Sequence, residues 1–223
     1  MSITAIVPVK AQSERLEAKN LKLFNGVPLY VHKLKQMAGI FDKVVVSSED
    51  YGIVDLAIQM GFEAHVRDPK YSAPDIPMPE VYKYITSDVT GDDIAWVNVT
   101  NPLVDHDILW CAVDDWKNTR LGKKDKMCDF DCLLSVYNLQ KYVFWKGQPV
   151  NWIPSEHPRS QALGGLLAMS FAMNIRSRAD IIRDGCMVGL KPYFFILDEI
   201  TSTKIDYQWQ FDLCEAEWKK RQS

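Results

Sequence analysis

Long apolar runs are missing from this 223-residue sequence. No stretch approaches the roughly 18 uninterrupted apolar residues that cross a bilayer, so no transmembrane helix and no membrane partner are expected. The apolar part of the opening MSITAIVPVKAQ is too short for a secretory signal and follows no basic segment, so no signal is expected. Runs of like charge are missing too. The net charge of −3 argues against a nucleic-acid or membrane-surface partner but leaves room for a local cationic pocket. Cysteine is sparse and odd in number: Cys111, Cys128, Cys132, Cys186 and Cys214. Their irregular spacing argues against a disulfide framework and fits a reducing cytoplasm, the expected location. Cys128 and Cys132 lack the companion ligands that structural zinc needs. Repeats and low-complexity tracts do not occur.

What is present is a core-forming composition, 47% hydrophobic and 11% aromatic. Length and composition predict one domain, residues 1–223, with a small appendage. Thr4 to Val9 is apolar and β-branched without alternation, as in a strand buried on both faces. Asn25-Gly26 marks a turn. Leu29, Leu34, Met37 and Phe41 recur at near-helical spacing, and 42–47 reads as a second buried strand. Ile53 to Met60 reads as a helix stopped by Gly61, and 62–66 as a short strand. A helix is expected over 80–87, a strand over 94–99, and a helix from an Asp105 cap towards Trp116. Strand and helix alternate with short links, which predicts a three-layer, Rossmann-like α/β fold. Its mostly parallel sheet is flanked by helices.

The second half changes character. Residues 132–137, 142–145 and 148–152 read as short strands and turns. Ser177 and Asp180 form a capping box for a helix closed by Gly185. A last strand over 192–197 and a helix over 209–220 follow. With no linker between the halves, roughly 138–175 reads as an inserted lobe or a dimer-forming hairpin rather than a separate domain.

Ligands of open parallel sheets sit beyond the carboxyl ends of strands. Three loops leave such ends here: 10–20, 47–50 and 98–104. The first contains no glycine, so it is neither a Walker A loop nor a dinucleotide fingerprint. Its Lys10, Arg15 and Lys19, with Ser13, would grip phosphate directly. On the residues alone, a plain basic surface loop is the equal alternative.

The stretch "IVPVKAQSERLEAKNLKLFNGVPL" resembles the opening of the CMP-sugar synthetases, closest to the CMP-N-acylneuraminate branch. That branch opens with proline, then Ala-Arg-x-x-Ser-Lys-x-Leu-x-x-Lys-Asn. Pro8, Ser13, Leu16, Lys19 and Asn20 match. "FDKVVVSSED", "VNVTNPLVDHDI", "HPRSQAL" and "TKIDYQWQFDLCEAE" resemble later segments of the family in order and spacing. The resemblance implies a homodimeric cytidylyltransferase that moves CMP from CTP onto a small anionic acceptor, with release of pyrophosphate. A nonulosonic sugar acid is the first expectation for the acceptor. A phosphonate or other acid is the alternative, as is a degenerate relative that binds nucleotide without turnover.

By the same resemblance, Lys10, Arg15 and Lys19 hold the triphosphate, and Lys19 stabilises developing charge. Val9, Gln12, Ser13 and Asn20 line the nucleotide, with Asn20 on the cytosine edge. Asn98, Thr100, Asn101, Arg159 and Gln161 serve the substrates, with Arg159 and Gln161 facing the acceptor's anionic group across a dimer interface. Asp206 holds Mg2+. Several positions depart from the family. Lys10 stands where the family has arginine, and Glu14 where it has lysine, with Arg15 beside it to restore the charge. Lys204 stands where the first of two terminal aspartates is usual. Val104 replaces an arginine, and Ser170 an asparagine. The Gly-Asp-Glu-Pro of the KDO synthetases is absent at the Thr100 loop. Asp105, His106 and Asp107 suggest metal ligands but read better as a helix start. His32 and His157 read as ordinary polar or interface residues. Trp145 or Trp152 would line an acceptor pocket.

Overall fold

A computed structural model describes residues 1–121 and 129–222. Cys128, half of the cysteine pair weighed for zinc, lies outside the described residues. Among the described residues, seven strands form the central sheet: β1 (Ile3–Pro8), β4 (Lys43–Ser48), β5 (Glu63–Val66), β6 (Asp93–Val97), β7 (Cys132–Asn138), β10 (Leu167–Ser177) and β11 (Pro192–Leu197). Their order is β11-β7-β10-β6-β1-β4-β5. β1 runs parallel to β4 on one side and to β6 on the other. Only β10 opposes its neighbours, β6 and β7. Two short hairpins stand apart: β2 (Leu23–Phe24) with β3 (Val27–Pro28), and β8 (Phe144–Trp145) with β9 (Gln148–Pro149). Asn25 and Gly26 turn the first hairpin with φ of 48° and 84°, as two-residue turns between twisted strands require.

The alternation of side chains along β1 builds the three layers. Ile3, Ala5 and Val7 face α1 (Leu29–Gln36), α2 (Tyr51–Gln59) and α4 (His106–Arg120). Ile6 faces α3 (Met78–Asp88) and α5 (Arg178–Asp184). Helix α6 (Gln208–Gln222) closes a third cluster against Phe24 and Leu29. Both predicted caps form: Asp105 accepts from the Ile108 amide at 3.1 Å, and Ser177 from Asp180 at 3.2 Å. Asp105 is thus the cap of α4.

β10 was not expected from the residues. Its sequence LAMSFAMNIRS mixes Ala, Met and Ser with polar residues, so neither a continuous β-branched run nor alternation marks it. It carries a bulge between Met169 and Asn174, where Phe171 takes φ 57°. The Ser135 hydroxyl holds this bulge, lying 2.8 Å from Ser170 Oγ and 3.1 Å from the Met173 amide. The chain therefore leaves the sheet only over 139–166, a narrower excursion than 138–175, and 167–177 returns as a central strand. No helix among the described residues is long and apolar enough to cross a membrane.

Candidate functional site

The carboxyl ends of β1, β4 and β6 lie side by side, with β1 between strands that leave it in opposite directions along the sheet. The three expected loops emerge there. The loop after β1 is pinned at two charged points.

The first point is a buried ion pair. Arg67, 1% exposed at its side chain, donates to Glu49 Oε2 at 2.5 Å and to the Val9 carbonyl at 3.0 Å. Glu49 also accepts from Ser72 Oγ at 2.7 Å and from the Ala11 amide at 3.0 Å. Burial pushes the Glu49 carboxyl up, but the hydrogen bonds from Arg67 and Ser72 outweigh it and hold the pKa below its ordinary value. Lys10 Nζ donates to the Ser72 carbonyl at 2.8 Å. Burial, then repulsion from Arg67, lowers its pKa, while Glu49 and Glu14 oppose the shift. Glu14, one of the departures from the family pattern, therefore acts on Lys10. Glu49 and Arg67 were not singled out in the sequence. "SSED" marks a strand end, but nothing nearby says that its glutamate meets an arginine on the far side of the next helix.

The second point is Asp206. Arg15 Nη1 lies 2.7 Å from its Oδ2, Lys19 Nζ 3.2 Å from its Oδ1, and Lys204 Nζ 3.6 Å from its Oδ2. Lys19 also donates to the Ile205 carbonyl at 2.6 Å. The Asp206 carboxyl is pushed up by burial but pulled further down by Lys204, Lys19 and Arg15, so its pKa falls below the ordinary value. Burial lowers the Lys19 ammonium, and Asp206 only partly offsets this. Arg15 is 56% exposed, so its pairing is worth less than about 1 kcal/mol and exchanges easily for another anion. Asp206 is no simple helix cap: the side chain of Gln210 accepts from the Asp206 and Tyr207 amides at 2.7 and 2.9 Å.

Asn20, on a 3-10 turn (Lys19–Leu21), donates to the Lys10 carbonyl at 2.8 Å and folds the loop back on itself. Its Oδ1 is buried without a hydrogen-bond partner among the described residues. Val9 is fully buried, Ser13 half-buried and Gln12 exposed. On the third loop, Asn98 donates to the Phe171 carbonyl at 2.6 Å, the Thr100 carbonyl accepts from the Ile205 amide at 2.8 Å, and Asn101 donates to Ser202 at 3.2 Å. These contacts fasten the loop to the β10 bulge and to the segment that carries Asp206. Beneath it, the fully buried Lys33 donates to the Val104 carbonyl at 2.5 Å, and Gln36 to Pro102 at 2.8 Å.

A cleft of about 440 Å³ opens beside Asp206 and Lys204, with Tyr137, Met169, Trp209 and Leu213 among its walls. Trp145 and Trp152 are elsewhere. Trp145 is exposed on the β8–β9 hairpin, and Trp152 packs against Tyr142, Phe144 and His157. Arg159 and Gln161 lie exposed at a 3-10 turn of the excursion, where the Arg159 carbonyl accepts from the Ala162 amide at 2.8 Å and its guanidinium makes no hydrogen bond or ion pair among the described residues.

Ser47, His65 and Asp88 form a chain with the composition of a hydrolase triad. Ser47 Oγ lies 2.9 Å from His65 Nδ1, and His65 Nε2 3.1 Å from Asp88 Oδ2. Ser47 is fully buried, so the chain ties β4 to β5 and α3 and offers no nucleophile.

Among the described residues, no group of three or more His, Cys, Asp or Glu stands ready for a metal. Magnesium asks for near-octahedral oxygen ligands. Both Asp206 oxygens already face cations, and Lys204 stands where a second carboxylate would help. The donor set at Asp206 does not fit a resident Mg2+.

A family model described as Cytidylyltransferase matches residues 4–151. The chain belongs to the cytidylyltransferase family. The pseudaminic acid cytidylyltransferase of Campylobacter jejuni is 31% identical over 117 residues, 49% of this chain and 50% of that protein. The N-acylneuraminate cytidylyltransferase A of Danio rerio is 24% identical over 224 residues, 96% of this chain and 50% of that protein. The chain thus spans about half the length of the curated relatives it matches. A solved CMP:2-keto-3-deoxy-manno-octonic acid synthetase complexed with CTP is similar at TM-score 0.71 and 12% identity, covering 99% of this chain and 100% of that one. At that identity the likeness is one of fold, here the α/β cytidylyltransferase fold. The family match contains all three strand-end loops and the Glu49–Arg67 pair, whereas Lys204 and Asp206 lie beyond it.

Proposed function

We propose that the chain is a CTP-dependent cytidylyltransferase that transfers CMP to an anionic sugar acid of the nonulosonate or octulosonate class. The observation that carries this reading is the convergence of Arg15 and Lys19, from the loop after β1, with Lys204 on Asp206, in a family of cytidylyltransferases. An acceptor hydroxyl oxygen attacks the α-phosphorus, the bond to the bridging oxygen breaks, pyrophosphate leaves, and the hydroxyl proton passes to solvent. Such a transfer asks for alignment and charge neutralisation rather than a covalent nucleophile.

Each residue has a task in that reading. Arg15 and Lys19 exchange Asp206 for the triphosphate, and Lys19 stabilises the charge that gathers on the leaving pyrophosphate. Lys10 and Ser13 add donors, and Gln12 and the Val9 backbone border the nucleotide. The unpartnered Asn20 Oδ1 suits the amino group of cytosine. Asn98, Thr100 and Asn101 act as the frame that aligns the third loop. The cleft beside Lys204 takes the acceptor. Arg159 and Gln161 face an acceptor carboxylate from a second copy, and the exposed Phe144, Trp145 and Ile153 on the same excursion support a homodimer.

Pyrophosphate release, assayed with each nucleoside triphosphate against a panel of sugar acids and phosphonates, tests the reading. Release with CTP and a sugar acid is expected. No release in any combination, with no CTP binding by calorimetry, would overturn it. Binding without release would favour the degenerate relative that Lys204 also suggests.

A further inference from the structure

We infer that Lys204 replaces a protein-bound metal: the Arg15–Lys19–Lys204 cluster takes polyphosphate directly, and Asp206 is its resident counter-ion rather than a metal ligand. The inference rests on the proposed function in assuming that a polyphosphate is what the cluster holds.

The three cations meet one carboxylate, so the cluster keeps a net positive charge of two. A divalent cation brought to Asp206 would sit within reach of three like charges. At comparable distances, repulsion from three cations outweighs attraction to one carboxylate. An incoming polyphosphate meets the opposite situation. It finds a guanidinium and two ammoniums already gathered, held by a carboxylate that it can displace. The exposures favour that exchange. Arg15 and Lys204 are 56% and 39% exposed, so both are free to turn. Lys19 is 11% exposed and fixed by the Ile205 carbonyl, so it stays where the phosphate arrives. Lys204 is also a wall of the 440 Å³ cleft, which puts its charge between the polyphosphate and the space beside it.

Two measurements on the whole chain test this. First, Mn2+ is titrated into the wild type and into K204D, and free Mn2+ is read by electron paramagnetic resonance. The wild type should leave the signal unchanged at millimolar metal, whereas K204D, with carboxylates at both 204 and 206, should deplete it. Second, CTP and inorganic pyrophosphate are titrated calorimetrically in EDTA and in Mg2+. Wild-type affinity for each should differ by less than about threefold between the two conditions. K204M should lose about tenfold in EDTA and K204R should restore it. The wild-type arms suffice if K204D does not fold.

Stoichiometric Mn2+ binding to the wild type, abolished by D206N, would overturn the inference. So would CTP binding that requires Mg2+, an outcome that leaves the proposed function standing. Pyrophosphate binding in EDTA without any CTP binding would overturn the proposed function and leave the inference standing. Failure of both ligands in every condition would overturn both.

Discussion

Lys19 and Asp206, 187 residues apart in sequence, meet at 3.2 Å. The pair joins the first loop of the sheet to the segment before the last helix, and Arg15 and Lys204 complete it. The free protein thus holds Arg15, Lys19 and Lys204 together with an internal carboxylate.

Lys19→Ala should lower kcat/KM for CTP by about two orders of magnitude, the usual cost of removing one preorganised donor from a developing charge. Steady-state pyrophosphate release measures it. Unchanged turnover would remove Lys19 from the charge-stabilising role.

Breaking the Arg67–Glu49 pair should cost stability first. Arg67 is buried, so R67M leaves Glu49 an uncompensated carboxylate and should destabilise by about 3 kcal/mol. The R67M/E49Q double variant should recover part of that loss, because the stranded charge is gone. Urea unfolding of the single and double variants reads both values.

The loop's carboxylates set an acid limit. Glu49 and Asp206 both titrate below their ordinary range in the folded chain. Their contribution is present above the unfolded carboxylate pKa of about 4 and is lost as pH falls through the lower folded values.

His32 adds a second, milder pH dependence. Burial, then the neighbouring Lys33, lowers its pKa from 6.5 to about 4. Between those values the unfolded chain binds a proton that the folded chain refuses, so stability is full above pH 6.5 and declines towards pH 4, by roughly 3 kcal/mol in total. The ring packs between Phe24 and Trp218, with centroids 4.7 and 4.5 Å away. His32→Phe should keep that packing and flatten the decline in thermal melts across this range.

Much of this architecture is legible in the residues. Buried runs such as 4–9 and 42–47 announce central strands, because a strand covered on both faces cannot alternate. Asp105 and Ser177 announce helix starts, because their side chains meet amides only three residues away. What stays hidden depends on distant partners. β10 is held in place by Ser135 rather than by its own pattern. Glu49 and Arg67 acquire meaning only when β4 and β5 lie side by side. Lys204 read as a lost carboxylate, and only the fold shows it facing Asp206 beside Arg15.

The exposed excursion predicts assembly. Light scattering should give the mass of a dimer, and Trp145→Glu, which puts a charge on the exposed hairpin, should shift the protein towards monomer. A monomeric wild type would remove the second-copy role of Arg159.

Calorimetric titration of CTP, UTP and ATP into the wild type and K19A tests the central claim most directly. CTP should bind the wild type at least about tenfold more tightly than the other two, and K19A should lose at least about tenfold of that affinity. Equal binding of all three nucleotides, or K19A binding CTP as well as the wild type does, would contradict it.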